Sequence, residues 1–231
     1  MLDKILEHAK QEYPRESCGV VIIYKGKEKY IPCRNIAEDN NHFIIHEEDY
    51  ANAEDLGEII KIVHSHPRSN PQPSPADMVK IEETEIPWII INPITEHWTE
   101  THPSGYKAPL IGRQFAFGVL DCYSLIRDYY KETLGIELLN FNRTDKFWER
   151  GENLYMDNFE KAGFIKVNDI KEHDVIIMYL GASIPNHGGV YIGDGKILHH
   201  PQGRLSSRDV YGGYWLKNTK VIVRHKELLQ S

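Results

Sequence analysis

Two histidines, a serine and an aspartate lie at fixed intervals between residues 59 and 77, which read IIKIVHSHPRSNPQPSPAD. His64 and His66 end a run of mostly apolar, branched residues that predicts a strand, and positions i and i+2 of a strand face the same side. Both imidazoles can therefore bind one ion. Pro67 ends the strand, and Ser74-Pro75-Ala76-Asp77 has the pattern of a helix start, with Ser at N-cap, Pro at N1 and an acid at N3. We expect this turn to direct Asp77 towards the histidines.

These side chains predict a zinc site in which His64, His66 and Asp77 are the ligands. Catalytic zinc typically has three N and O ligands from the protein and keeps a fourth position for water, whose pKa it lowers from ~15.7 to about 7. A general base must still take the proton, and Glu16, which precedes another predicted strand, is the best candidate. The hydroxyl of Ser74 can donate to a developing oxyanion while its oxygen caps the helix. The set suits hydrolysis of an amide.

A cysteine and two histidines in the second half of the chain predict a thiol site. Cys122 follows a good N-cap, Asp121, so it lies in the first turn of a predicted helix, and a helix N-terminus lowers a thiol pKa from about 8.5. His187 and His199 lie on consecutive predicted strands and can face each other across a hairpin. We expect Cys122 to attack a carbonyl, His187 to carry the proton and His199 to orient His187, with the backbone N–H of Cys122 as an oxyanion donor. His200 replaces His199 if the register slips by one.

Each fragment alone has an ordinary structural explanation. Two histidines at a strand end are often polar edge residues, and SPAD alone is only a helix cap. A cysteine at a helix start is usually a small core residue, and a hairpin histidine usually fills an edge. The combined spacing favours chemistry at both places. Cys18 and Cys33, in contrast, are predicted to be buried and unreactive.

The elements that position the first site predict a mixed α/β unit. An N-terminal helix leads into an apolar strand at 18–24, a hairpin strand at 28–33, a short strand at 42–46 and an acidic helix at about 48–58. The strand carrying the histidines follows, and then a helix at 75–84 and strands at 88–91 and 96–101.

The segment 102–114, HPSGYKAPLIGRQ, has two prolines, two glycines and no periodicity, which favours a domain boundary. We expect domains at 1–105 and 106–231. The second begins with a helix that runs from Cys122 to Gly135, and a polar helix at about 152–162 follows. Strands are predicted at 174–179, 187–192, 197–199 and 220–225. Helix first and sheet second is the order of an α+β domain.

Composition narrows the function classes. The chain has 231 residues, 41% hydrophobic and 26% charged, so two globular domains can each bury a core. A net charge of -7 and a pI near 5.9 argue against a nucleic-acid partner. The charged N-terminus is unlike a signal peptide and no segment approaches membrane-spanning length, so we expect no membrane insertion. Three cysteines indicate synthesis in a reducing cytoplasm.

About the first hundred residues resemble the JAMM (MPN-plus) metalloprotease family, whose pattern is a distant Glu, then H-x-H, seven residues and S-x-x-D. Glu16, His64-Ser65-His66 and Ser74-Pro75-Ala76-Asp77 fit this pattern without a gap. The resemblance implies hydrolysis of a peptide or isopeptide bond with Zn²⁺ as cofactor. It also implies Glu16 as base and Ser74 as transition-state donor.

Residues 115–216 resemble the NlpC-type cell-wall endopeptidases, which are papain-like enzymes that cleave peptidoglycan stem peptides. The resemblance rests on DCYSL and HGGVYIGDGKILH and carries over Cys122, His187 and His199. Many members have Ser-Gly after the cysteine, where this chain has Tyr123-Ser124. A substrate-gripping tyrosine upstream of the cysteine cannot be aligned, which leaves the substrate geometry open.

The two domains in this order resemble the tail assembly proteins of lambda-like siphophages, a family that fuses the same two domains. That resemblance implies synthesis in the host cytoplasm, a place at the virion tail tip, contact with other tail-tip proteins, and local opening of the host wall through its peptidoglycan. Two alternatives stay open: a tail-assembly scaffold with vestigial sites, and a host-encoded JAMM maturation protease.

Overall fold

The computed structural model describes residues 1–229, and the chain divides after Lys107 into two compact units. The first unit contains α1 (Leu2–Glu12), β1 (Cys18–Tyr24), β2 (Lys27–Cys33), α2 (Glu47–Leu56), β3 (Glu58–Ser65), α3 (Pro75–Thr84), β4 (Trp88–Ile91) and β5 (Trp98–Thr101). The second contains α4 (Cys122–Tyr129), α5 (Leu154–Asn158), β6 (Phe164–Val167), β7 (Val175–Met178), β8 (His187–Tyr191), β9 (Lys196–His199), β10 (Ser207–Val210), α6 (Gly213–Lys217) and β11 (Thr219–His225). An α/β unit followed by an α+β unit is the predicted fold class, which is confirmed.

The first unit is built on a five-stranded mixed sheet with the order β2-β1-β3-β4-β5. β1 pairs antiparallel with β2 and β3, whereas β3 and β4 are parallel. A parallel pair needs a crossover connection, and α3 lies in that connection. The N-terminus of α3 therefore follows directly on the loop that leaves the end of β3.

Alternation along β1 distributes the core of this unit over both faces of its sheet. Val20 and Ile22 are buried on one face with Ala53 of α2 and Ile81 of α3. Val21 is buried on the other face with the apolar side of α1. Full burial of such a branched side chain contributes about 1.5–3 kcal/mol. His64 follows Ile62 at a spacing of two and so belongs to the face that carries α2 and α3.

The short strand expected at 42–46 is not formed, apart from a single bridge between Asn35 and Ile45. The side chain of Asn35 takes the place of a ladder partner. Its amide nitrogen donates to the carbonyl oxygen of His42, and its oxygen accepts the backbone N–H of Ile44. Because the amide satisfies these groups, the segment stays a loop.

The second unit packs helices on a six-stranded antiparallel sheet with the order β10-β9-β8-β7-β11-β6. Leu125 and Ile126 of α4 are buried against one face of this sheet. Gly188 on β8 permits the approach, because a Cβ there would lie 3.0 Å from Ile126 Cδ1 and 3.1 Å from Tyr155. The first turn of α4 thus lies close to the start of β8.

Several elements of this unit differ from the prediction. After Tyr129 the helix continues as a π-helical turn, Tyr130–Leu134, and ends at Gly135, whose φ of 70° favours glycine. The helix expected at 152–162 spans only Leu154–Asn158, because the chain then tightens into turns that close at Gly163. The short strands β6 and β10 were not predicted. Within residues 1–229, every helix is too short or too polar to span a bilayer.

Candidate functional site

The structure brings the three predicted metal ligands together at the end of β3. His64 and His66 project from the strand end on the side of α3, and Asp77 lies in the first turn of that helix. Ser74 and Asp77 form a reciprocal capping box in which Ser74 N donates to Asp77 Oδ2 at 2.7 Å and Asp77 N donates to Ser74 Oγ at 3.1 Å. This local structure holds the carboxylate towards the imidazoles.

The donor set fits a small divalent cation. His64 Nε2 lies 3.0 Å from His66 Nε2 and 3.5 Å from Asp77 Oδ1, and His66 Nε2 lies 3.4 Å from Asp77 Oδ2. A tetrahedral zinc with bonds of about 2.0–2.2 Å separates its ligand atoms by about 3.3–3.6 Å, so the two distances to Asp77 match and the two histidine nitrogens lie somewhat closer than that. Burial lowers the pKa of His64 to about 4, which keeps the imidazole in the neutral form that metals bind. Despite burial, hydrogen bonding with His66 holds the pKa of Asp77 well below its usual range.

A second group of potential ligands is already engaged. His46, Glu48 and Asp49 lie near one another, but the guanidinium of Arg34 lies among them, at 2.8 Å from Glu48 and 2.7 Å from Asp49. The guanidinium of Arg34 pairs with both carboxylates. The group is therefore an ion-pair network at the start of α2.

Glu16 lies near the predicted metal ligands His66 and Asp77 and is almost fully buried, with 7% of its surface exposed. Ser17 N donates to Ser65 Oγ and Ser65 N donates to Ser17 O, which ties the start of β1 to the residue between the two histidines. Asn35 Nδ2 also donates to Glu16 O at 2.8 Å. Burial raises the pKa of Glu16 to about 8, an effect that the nearby His66 opposes. A carboxyl with this pKa can both accept and release a proton near neutrality.

Cys122 occupies the first turn of α4, after an N-cap aspartate whose carboxylate accepts Ser124 N at 2.8 Å. Its Sγ lies 3.1 Å from Tyr155 Oη and faces the backbone amide of Gly188, the residue next to His187. The pKa of the thiol was expected to be lowered by the helix N-terminus. Instead, burial and the neighbouring charge of Asp121 raise it to about 11. Desolvation is therefore the largest influence on the pKa of this thiol.

His187 and His199 lie on adjacent strands, and His187 Nε2 is 3.0 Å from His199 Nδ1. Burial lowers the pKa of both imidazoles, that of His187 to well below its usual value. His200, the alternative third residue, does not make this bond, and its ring packs against Phe115 at 5.1 Å. The geometry thus joins His187 to His199.

Three residues of the thiol site were missed by reasoning from the sequence. Tyr155 contacts the thiol from a position downstream of it, Arg143 binds the carboxylate of Asp121 at 2.9 Å, and Asp209 Oδ2 lies 3.2 Å from His199 Nε2. None of them has a spacing signal, because each reaches the site from a loop, a short helix or an unpredicted strand. A small apolar cavity lies on the core side of Cys122, and buried core residues such as Phe164, Val175 and Ile177 also line it.

Comparisons with known proteins match both halves of the chain. Residues 1–102 match the family of prokaryotic homologs of the JAB domain, and residues 112–224 match the NlpC/P60 family. Tail tip assembly protein K of Escherichia phage N15 is 40% identical over 231 residues, covering 98% of this chain and 95% of the relative. The protein of the same name from Escherichia phage lambda is 40% identical over 181 residues, covering 78% of this chain and 88% of the relative.

Solved structures are also similar in part. The crystal structure of the NlpC/p60 domain of the peptidoglycan hydrolase SagA covers 50% of this chain and 89% of its own, with 19% sequence identity and a TM-score of 0.35.

Proposed function

Because the chain belongs to the family of phage tail tip assembly protein K, we propose that it is a tail-tip peptidase whose second unit hydrolyses stem peptides of peptidoglycan. The observation that carries this proposal is the hydrogen-bonded pair of His187 and His199 in a unit that presents Cys122 at a helix start. The match of residues 112–224 to the NlpC/P60 family supports the same reaction class.

The neutral resting state of thiol and imidazole decides how the attack occurs. Since the pKa of Cys122 is raised and that of His187 is lowered, the proton moves during the attack and no ion pair is formed beforehand. Cys122 Sγ bonds to the carbonyl carbon while His187 Nδ1 takes the thiol proton and His199 holds the Nε2 side of that ring. The backbone N–H of Cys122 stabilises the oxyanion.

The same histidine then completes the turnover. The imidazolium of His187 gives its proton to the leaving nitrogen as the C–N bond breaks, which leaves a thioester on Cys122. A water loses a proton to His187 and attacks the thioester, so the acid product leaves and the thiol is restored.

For the first unit we propose a zinc peptidase site held by His64, His66 and Asp77, with an unidentified peptide or isopeptide as substrate. The ion, when bound there, supplies the Lewis acidity that activates water near neutral pH. Glu16, whose carboxyl interacts with His66 and Asp77, takes and passes on the proton. The hydroxyl of Ser74 donates to the developing oxyanion while Ser74 Oγ keeps the cap of α3.

The relatives support a biological setting for the protein. Both are phage proteins with tail tip assembly in their names, which favours a place in the tail and contacts with other tail proteins over a host-encoded maturation protease. We propose that the protein is made in the host cytoplasm and opens the wall locally during infection.

Digestion of purified peptidoglycan tests the thiol site. The protein should release stem-peptide fragments that mass spectrometry identifies, and Cys122→Ala should abolish their release. Cys33→Ala makes the same chemical change away from the site and should leave the release unchanged. Release that persists in Cys122→Ala would overturn the assignment.

The second candidate is a tail-assembly scaffold with vestigial sites, which the word assembly in both relatives' names favours. A phage that carries Cys122→Ala together with His66→Ala distinguishes the two. Normal tails that infect normally would support the scaffold, whereas normal tails that fail to infect would support the peptidase.

A further inference from the structure

A line of polar groups continues past the two histidines of the thiol site. His187 Nε2 lies 3.0 Å from His199 Nδ1, and His199 Nε2 lies 3.2 Å from Asp209 Oδ2. Within residues 1–229, Nε2 of the buried His199 ring forms no hydrogen bond of strict geometry. The charged group that it contacts is the carboxylate of Asp209. Asp209 reaches this place from β10, where it pairs with Ile197, two residues from His199 on β9.

The carboxylate of Asp209 is itself held in place and remains partly hydrated. Ser207 Oγ donates to Oδ1 at 3.0 Å and Arg204 Nη2 donates to Oδ2 at 3.1 Å. Its side chain is 23% exposed, whereas that of His199 is fully buried. Trp215 packs edge-on against the ring of His199 at 4.4 Å, which restrains rotation of the imidazole. Asp209 therefore acts on His199 from a fixed direction.

Proton counting along this line favours one tautomer for each ring. A neutral imidazole carries one N–H, and a carboxylate accepts but does not donate. Facing Asp209, His199 carries its proton on Nε2, so its Nδ1 is an acceptor. The 3.0 Å contact then requires His187 to donate from Nε2. The proton of His187 is thereby placed on Nε2, and its Nδ1 keeps the lone pair that a general base needs.

We propose that Asp209 is a positioning residue that selects the tautomer of His199 and, through it, leaves Nδ1 of His187 free to take the proton of Cys122. This inference rests on the proposed thiol peptidase function. The other charged or titratable groups around the pair are His200, which faces His187, and Arg204, which faces His199. Arg204 is a cation and cannot accept a hydrogen bond from His199 Nε2, and His200 interacts with the other ring, His187.

Removal of the carboxylate leaves the guanidinium of Arg204 as the nearest charge. A cation favours the lone pair on His199 Nε2, so the proton of that ring moves to Nδ1 and is donated to His187 Nε2. The proton of His187 then lies on Nδ1, where it blocks the acceptance of the thiol proton. We expect Asp209→Ala to lower kcat on peptidoglycan by on the order of 10²-fold or more, with little change in KM.

Ring-nitrogen NMR of the full chain labelled with ¹⁵N-histidine tests the inference without any substrate. The wild type should show His187 and His199 both protonated on Nε2, and Asp209→Ala should move both protons to Nδ1. Asp209→Glu should retain the wild-type tautomers. Arg204→Gln, which keeps the carboxylate, and Asp194→Asn, an exposed change in the same hairpin, should also retain them.

The outcomes separate this inference from the proposed function. Protonation of His199 on Nδ1 in the wild type would overturn the inference, and so would unchanged tautomers in a folded Asp209→Ala. The wild-type spectrum decides the matter even where that variant fails to fold. Absence of peptidoglycan hydrolysis by the wild type would overturn the proposed function and leave the tautomer result standing.

Discussion

Tyr155 Oη lies 3.1 Å from Cys122 Sγ, so the side-chain partner of the thiol is a phenol that belongs to a short helix. Burial raises the pKa of the thiol to about 11. Thiolate is the reactive form, so the alkylation rate of Cys122 by iodoacetamide should rise about tenfold per pH unit from pH 7 and level off only near pH 11. Mass spectrometry of the peptide that contains Cys122 measures this rate separately from Cys18 and Cys33. A plateau near pH 8 would contradict the burial effect.

Tyr155→Phe identifies the role of the phenol in that reactivity. A phenol that donates to the thiolate lowers the pKa of Cys122, and hydrogen bonds to charged groups contribute about 1.5–3 kcal/mol. At a given pH, alkylation of the variant should therefore be slower than that of the wild type by about tenfold or more. Faster alkylation in Tyr155→Phe would mean that the ring mainly shields the thiol from solvent.

Metal content should depend on His66 and not on histidines elsewhere in the first unit. Protein purified without chelators should contain about one zinc per chain by elemental analysis, because three protein ligands complete one site. His66→Ala should lose the metal, and His97→Ala, at an exposed position, should keep it. Chelation should lower the Tm of the wild type and leave that of His66→Ala unchanged. Metal-free wild-type protein would count against the site.

Arg143 should be a large contributor to the stability of the second unit. It binds the carboxylate of Asp121 at 2.9 Å, and the two side chains are only 7% and 2% exposed. Arg143→Met leaves a buried, unpaired carboxylate and should cost about 3–5 kcal/mol in the free energy of unfolding near pH 7.

The cost of Arg143→Met should also depend on pH. In the wild type, burial opposes ionisation of Asp121, but Arg143 lowers the pKa of this carboxyl below its ordinary 3.8. The stabilisation from the ion pair is therefore present above pH 3.8 and is lost as the pH falls through the lowered pKa. Without Arg143, burial alone raises that pKa, and the variant loses stability as the pH rises. Denaturant unfolding should therefore find a larger difference at pH 7 than at pH 4, and an equal difference would contradict the pairing.

His200 should make the second unit sensitive to mild acid. Burial, assisted by the charge of Arg113, lowers the pKa of His200 from 6.5 to about 4. Its stabilising contribution is complete above pH 6.5 and is lost as the pH falls towards 4, because the unfolded chain binds the proton first. His200→Leu should lose less Tm between pH 7 and pH 5 than the wild type, whereas the exposed control His97→Leu should match the wild type. Identical slopes in all three proteins would exclude His200 as a cause.

Sequence reasoning reached the parts of both sites that lie close together along the chain or on regular elements. The i, i+2 spacing of His64 and His66 and the helix start at Ser74 depend only on nearby residues. The sequence pattern could therefore predict the positions of these side chains on β3 and α3. The hairpin geometry likewise brought His187 to His199. What the sequence could not supply were the electrostatic consequences of burial. The pKa of Cys122 is raised rather than lowered, because burial depends on how the whole unit packs, which the spacing of residues does not reveal.

The sequence also did not predict the residues that reach a site from irregular segments. Asn35 shows the difficulty, because one amide replaces an expected strand partner and also holds the backbone of Glu16. No periodicity or turn signal marks such a role. Tyr155 and Asp209 are of the same kind, since a loop or a short strand sets their distance from the thiol site.

The capping box of Ser74 and Asp77 has a consequence for how such proteins change over time. The two residues start α3 whether or not a metal is bound, so selection for folding alone retains them. His66 has no equivalent duty in the helix. A lineage that no longer used the metal would keep its Ser-x-x-Asp and lose its histidines first. A retained His-x-His is therefore the more informative trace of selection for metal chemistry.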